Sequence, residues 1–432
     1  MAPETRSKSK GQSRRAPPAS FPDPAQPSTA SRKKRPLDAA HELRPLSSPK
    51  AGALDRVPPK YIIDLSRPPA ERYTEVVADF RPLLATLPVL FDDIVTASRL
   101  PLKWTRRLAR TLLRHVYSKE QTEELRGISR ASGVDMYLLV CFNTLLDSFM
   151  GCTSGGARVK TEGGTRMYHF RTLDWAMDIL RHVVVELEFV NKPHGHVIAR
   201  SVTYVGFVGV LTGVRKDLSI SLNFRPCHND PGSLSAALKL CYHQLAVLLG
   251  RRPSIVSHLR DMLIPRHLHD SRRRHEPTLP TLESIRRTFP SVKTSAAYLI
   301  FSDGDETTVL EKDRITAVER SSNAFVAATN CDAFREGLGA RQGAFGLNLM
   351  GQVLDEADDR LEVLEQRWRK VEERFRRRKS TVPHEEIYGT VKDVEEMVEI
   401  YPITNESTHY SLIMDPKAGQ ILRLKRYALG AI

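Results

Sequence analysis

This sequence has little from which to build a covalently stapled scaffold. Five cysteines stand in 432 residues (Cys141, Cys152, Cys227, Cys241 and Cys331). Their number is odd and no Cys-x-x-Cys pair occurs, so the spacing supports neither a disulfide framework nor a zinc site. A long hydrophobic run is also lacking. The most apolar stretches, 136–150 and 202–214, fall short of the roughly 18 residues a membrane span needs and carry polar side chains. The first residues, Met-Ala-Pro-Glu-Thr-Arg-Ser-Lys, contain no apolar segment of the kind that opens a secretory signal. The expectation is therefore an intracellular, reducing setting in preference to a lysosomal or secreted one.

Negative charge is in the minority. Lys and Arg number 65 against 51 Asp and Glu, a formal net charge of +14. Half of that excess sits in residues 1–50, where 11 basic residues face 4 acidic ones among nine prolines. Such a segment buries too little apolar surface to offset its ordering entropy, so residues 1–56 read as a disordered basic tail. Its Arg32-Lys33-Lys34-Arg35 cluster reads as a solvated charge run, and nucleic acid is not the favoured partner.

Order is expected from about Pro58. Residues 61–65 alternate like a short strand and end at Pro68-Pro69. Residues 71–126 carry helical periodicity: Val76, Val77, Phe80 and Leu84 share one face, and Leu108, Leu112, Leu113 and Val116 another. Gly127 reads as a helix stop, and 134–150 as a further buried helix. After Gly151 the character changes. Short β-branched or aromatic runs recur at 167–173, 183–190, 196–204, 207–212, 219–222, 297–301, 307–311, 325–329 and 409–414. Helical patterns lie between them at 233–249, 253–264 and 360–376, and 265–280, with Arg272-Arg273-Arg274, reads as an exposed loop. The fold class is α+β, a layered sandwich with helices inserted.

Cys152 stands where the helical half meets the strand half, preceded by Gly151. Beyond it lie Arg171 and Asp174 in Phe170-Arg171-Thr172-Leu173-Asp174-Trp175, then the glycine-rich 206–213, Asn223, Thr329-Asn330-Cys331-Asp332 and Asp358-Asp359-Arg360. Each taken singly has an ordinary role: an inert buried thiol, an ion pair, a turn cap, a solvated helix charge. In this order they resemble the acid ceramidase and N-acylethanolamine acid amidase family of cysteine N-terminal-nucleophile hydrolases. Cys152-Thr153-Ser154 matches the family's Cys-Thr-Ser start, and Glu124-Leu125-Arg126-Gly127 its Glu-(Ile/Leu)-Arg-Gly signature, with Asn143 on the helix leading to the cysteine. The similarity spans about residues 58–415.

The resemblance implies a four-layer αββα sandwich with the helical segment 57–151 packed on a catalytic domain of 152–432. It implies self-cleavage between Gly151 and Cys152, giving two chains that stay associated. It also implies hydrolysis of a linear amide in an N-acylated lipid, ceramide or an N-acylethanolamine, with no metal and no cofactor. A freed α-amino group has a reference pKa of about 8 and can take the thiol proton. Arg171 and Arg360 are candidates to lower the thiol pKa, Asp174 to hold the α-ammonium, and Asn330 to donate to the oxyanion. Asn223 and Trp175 are candidate substrate contacts. Three positions depart from the family pattern: Phe224 replaces an acidic residue, Cys331 a tyrosine and Leu361 an arginine. A bile-salt or penicillin-type amide, or a non-catalytic binding protein recruited by its basic tail, are the rival readings. Leucines, Trp104 and arginines within 78–116 suit contact with an anionic membrane surface as well as they suit core packing.

Overall fold

The computed structural model describes residues 57–97, 99–145, 151–175, 177–226, 234–265, 279–332, 349–378 and 386–429. The tail 1–56, Cys227, residues 146–150 and Arg272–Arg274 lie outside them. The helical half begins with strand β1 (Lys60–Asp64) and continues through α1 (Thr74–Leu84), α2 (Leu87–Ala97), α3 (Leu102–Leu112), α4 (Lys119–Ser132) and α5 (Met136–Leu145). α4 passes through Gly127 and ends five residues later, contrary to the expected stop. A Cβ on Gly127 would stand 2.0 Å from the Ala70 carbonyl oxygen, so this glycine permits close packing. The true cap is Gly133, left-handed at φ 78° with its N–H bonded to the Ser129 carbonyl.

The second half opens with the hairpin β2 (Gly151–Thr161) and β3 (Gly164–Asp174). It continues through β4 (Val184–Val190), β5 (Val197–Tyr204), β6 (Thr212–Arg215), β7 (Leu218–Phe224), α6 (Leu234–Leu248), α7 (Ile255–Leu263) and α8 (Leu282–Thr288). Then follow β8 (Ala297–Ser302), β9 (Thr307–Lys312), β10 (Ala317–Ser322), β11 (Phe325–Ala328), α9 (Leu349–Arg378), α10 (Val391–Glu399), β12 (Thr408–Asp415) and β13 (Gln420–Arg426). The expected run 207–212 is a loop up to Leu211: Phe207 N donates to Tyr204 O, Val210 N to Val256 O on α7, and the Leu211 carbonyl accepts from Leu222 N on β7. Asn143 takes Gly206 O and Val208 N.

Two sheets result. One has the order β1-β4-β5-β6-β7-β8-β9-β10, the other β11-β2-β3-β12-β13. They pack face to face, β2 against β7, β8 and β9. α9 and α10 cover the outer face of the five-stranded sheet, where Trp368, Leu364, Val371, Val394 and Met397 meet Val159, Phe170 and Ile413. Residues of α1, α4, α5 and α7 share the main core with the eight-stranded sheet. The layers run helix, sheet, sheet, helix: the α+β sandwich expected. β1, from the helical half, pairs in parallel with β4 and forms the edge of the larger sheet. The two halves are thus interleaved through hydrogen bonds as well as apolar contact.

Candidate active site

β2 and β3 place the key side chains by their register. Cys152 lies opposite Leu173, Ser154 opposite Arg171 and Gly151 opposite Asp174. Side chains alternate along a strand, and directly paired residues share a face. Cys152, Ser154 and Arg171 therefore point between the two sheets. There Ser154 Oγ donates to Asn223 Oδ1 on β7 at 2.8 Å. Asp174 points the other way, toward the helix layer, where α9 supplies Arg360.

Cys152 is fully buried. Arg171 Nη2 donates to its Sγ at 3.2 Å, and Arg171 Nη1 donates to the Leu211 carbonyl at 2.9 Å. Burial pushes the Cys152 thiol up, and the Arg171 cation opposes that rise. The Cys152 backbone N–H donates to Asn330 Oδ1 at 2.8 Å. Arg360 bridges the group: Nη1 donates to Asp174 Oδ2 at 2.6 Å and Nη2 to Asn330 Oδ1 at 3.1 Å. Thr408 donates to the other Asp174 oxygen at 2.7 Å. Burial pushes the Asp174 carboxyl up, while Arg360 and Thr408 pull against it. The 2.6 Å separation is that of a charge-assisted pair.

Five expected residues, Cys152, Arg171, Asp174, Asn330 and Arg360, thus converge on the Gly151–Cys152 bond. One role differs from expectation. The Asn330 amide nitrogen donates to the Phe224 carbonyl at 2.7 Å, so the oxygen faces the cysteine. Two donors, the Cys152 N–H and Arg360, hold that orientation. Asn330 Oδ1 accepts from the Cys152 N–H, where an oxyanion donor was expected. Arg360 holds Asp174 and Asn330, and its charge acts with that of Arg171 against the rise of the Cys152 thiol, as expected. It also sits well inside α9, where the sequence suggested a helix start.

The two candidate substrate contacts are buried structural groups in this state. Asn223 accepts from Ser154 and donates to the carbonyls of Ala328 and Thr329 at 3.0 and 3.3 Å, joining the sheets. The Trp175 ring packs on Tyr204 and His409, centroids 5.7 and 6.1 Å away. Among the departures, Phe224 contributes its carbonyl to Asn330, and Leu361 packs against the core under α9. Cys331 Sγ lies 3.0 Å from Thr329 Oγ1.

A buried relay from the helical half was not foreseen. Glu124 on α4 accepts from Arg260 on α7 through both oxygens, at 2.6 and 2.7 Å, and from Arg72 at 2.9 Å. Arg260 also donates to Val208 O at 2.6 Å. With Asn143 it fixes the loop that ends at Leu211, whose carbonyl holds Arg171. The Glu124 motif was visible in the sequence, but its partners lie 52 and 136 positions away.

A family model described as the beta subunit of N-acylethanolamine-hydrolyzing acid amidase matches residues 56–119. The "N-acylethanolamine-hydrolyzing acid amidase" of Caenorhabditis elegans is 31% identical over 182 residues, covering 40% of this chain and 49% of that protein. The "Acid ceramidase" of Rattus norvegicus is 27% identical over 202 residues, covering 43% of this chain and 50% of that protein. The chain spans about half the length of the curated relatives it matches. A solved structure, a Caenorhabditis elegans N-acylethanolamine-hydrolyzing acid amidase ortholog, aligns with a TM-score of 0.42 at 22% identity, covering 62% of this chain and 93% of that one. In sequence the chain is thus similar, over part of its length, to the N-acylethanolamine-hydrolysing acid amidases and the acid ceramidases.

Proposed function

We propose that the chain is a cysteine amidohydrolase that frees its own nucleophile by cutting the Gly151–Cys152 bond and then hydrolyses the linear amide of an N-acylated lipid. In the first step the Cys152 sulfur adds to the Gly151 carbonyl carbon. The C–N bond breaks, the nitrogen leaves as the Cys152 amine with the thiol's proton, and a thioester remains. Water hydrolyses the thioester, giving a Gly151 carboxylate and a free Cys152 thiol. The products are a chain of residues 1–151 and a catalytic chain of residues 152–432.

In turnover the new α-amino group takes the thiol proton, and Asn330 Oδ1 keeps that nitrogen in line. Arg171 holds the thiolate. The sulfur adds to the amide carbonyl of the lipid, the head-group amine departs with the proton from the α-ammonium, and an acyl thioester forms. Water then releases the fatty acid and restores the thiol. Asp174, neutralised by Arg360, lies where the new amine and the new Gly151 carboxylate part company.

The observation that carries this reading is the pairing of contacts at one residue: a guanidinium on the Cys152 sulfur and a carbonyl oxygen on its nitrogen. An inert buried cysteine needs neither. Ceramide is the first substrate reading, cleaved to a sphingoid base and a fatty acid. N-acylethanolamine is the second, favoured by the family model over 56–119 and by the name of the 31%-identical relative. The test is purified protein assayed on both amides beside its Cys152→Ala variant. Release of fatty acid by the first and not by the second supports the proposal; equal release, or none from a fully cleaved protein, overturns it.

A further inference from the structure

Three basic side chains outside the Cys152 cluster gather at one cleft, independently of the proposed hydrolase activity. A cleft of about 380 Å³ is lined by Leu238, Lys239, Tyr242, Arg252 and Arg314. Lys239 and Tyr242 come from α6, Arg252 from the turn after it, and Arg314 from the turn between β9 and β10. None of the three cations forms an ion pair with a carboxylate among the described residues. Arg252 packs its guanidinium over the Tyr242 ring, 5.1 Å from the centroid.

Behind this wall Arg252 Nη1 donates to His243 Nδ1 at 3.1 Å. Because Nδ1 accepts, the neutral ring carries its proton on Nε2. That nitrogen is buried with no hydrogen-bond partner among the described residues. Burial first, then the charges of Arg252, Arg314 and Lys312, push His243 down to about 4. The charged side chains that line the cleft are all positive, and among the described residues no carboxylate is paired with them. Gathering like charges is unfavourable until a counter-charge answers them, which an anionic ligand can supply. Planar guanidinium forks beside a lysine match the oxygens of a phosphate better than a single carboxylate.

We propose that this cleft binds a phosphate group, held by Lys239, Arg252 and Arg314. Leu234, Leu238, Tyr242 and Leu245 follow one another at helical spacing along α6 and are 52% to 77% exposed. An apolar stripe at the mouth of a phosphate site suits a phospholipid head group with its chains alongside, and the same cations suit a soluble phosphate.

The test uses the full chain. Thermal denaturation is followed against inorganic phosphate and pyrophosphate, with sodium chloride at matched ionic strength as the control. Flotation is measured with phosphatidylcholine vesicles with and without phosphatidic acid. The cleft predicts saturable binding to at least one phosphate probe, weakened tenfold or more by the Arg252→Gln/Arg314→Gln pair. Lys239→Gln, at an exposed position on α6, should weaken it severalfold without changing the melting temperature of the free protein. Binding of phosphatidic acid vesicles with weak binding of free phosphate identifies a lipid head group. Comparable affinity for both identifies a soluble phosphate. Equal binding by the wild type and by Lys239→Gln, or no saturable binding to any probe, overturns the proposal.

Discussion

Arg171 gives the sharpest handle on the proposed nucleophile, Cys152. Its side chain is fully buried and makes two described bonds, one to Cys152 Sγ at 3.2 Å and one to Leu211 O at 2.9 Å. Replacing it with methionine keeps an unbranched apolar stem and removes both. A hydrogen bond to a charged partner contributes about 1.5–3 kcal/mol. Here that energy favours the thiolate over the thiol. At 1.36 kcal/mol per pKa unit, its loss should raise the thiol pKa by about 1–2 units. Burial already pushes that thiol up, so the change adds to an upward shift. The charged form is the reactive one, so the rising limb of reactivity moves to higher pH. The assay is the rate of iodoacetamide alkylation at Cys152 against pH, which needs no substrate. Arg171→Met should alkylate about 10–100-fold more slowly below the wild-type pKa and converge with wild type at high pH. Leu211 O loses one of its two donors, keeping Leu222 N, at a cost of up to about 1 kcal/mol, which lowers stability but does not move a titration. A limb at unchanged pH would refute the role of Arg171.

Three further outcomes follow from the geometry. Asn330→Ala removes the acceptor for the Cys152 nitrogen and should slow self-cleavage by about 10–100-fold; Asn330→Asp keeps an acceptor there and should cleave faster than the alanine variant. The reverse order, read by gel densitometry, would return Asn330 to the oxyanion-donor role. Glu124→Gln leaves Arg260 buried without its anion and Arg72 with Glu120 alone, which should cost about 3–5 kcal/mol in urea denaturation and slow Cys152 alkylation through the Leu211 loop. His169 and His409 are both buried and pushed down to about 3, chiefly by burial. Their folded values lie below the ordinary 6.5, so they contribute stability that is complete above pH 6.5 and lost as pH falls toward 3. Each should cost up to about 1.4 kcal/mol per pH unit in that window. The urea midpoint should therefore fall between pH 6.5 and 4.5, and a midpoint that holds or rises would contradict this.

Much of the site was legible because its chemistry is local in sequence. Cys152, Arg171 and Asp174 share one hairpin, and the periods of β3 and β4 are plain. β2 itself was missed, since Gly155 and Gly156 interrupt any β-branched pattern; so were β10 and β13, whose charged, partly exposed residues read as surface loop. Gly127 misled because a glycine in a helix reads as a stop, and only the third dimension shows Ala70 pressed against it. The side of Asn330 that faces the cysteine was out of reach of any motif. It depends on Arg360 and the Phe224 carbonyl, 30 and 106 positions away. The Glu124–Arg260 relay was hidden for the same reason, as a long-range ion pair leaves no periodicity.

The central claim is that one sulfur makes its own active form. Intact-mass measurement on freshly purified wild type and Cys152→Ala tests it most directly. The account predicts two associated chains from the wild type, ending at Gly151 and beginning at Cys152, and a single uncut chain of 48.7 kDa from the variant. An uncut wild type, or a variant cleaved at the same bond, would contradict it.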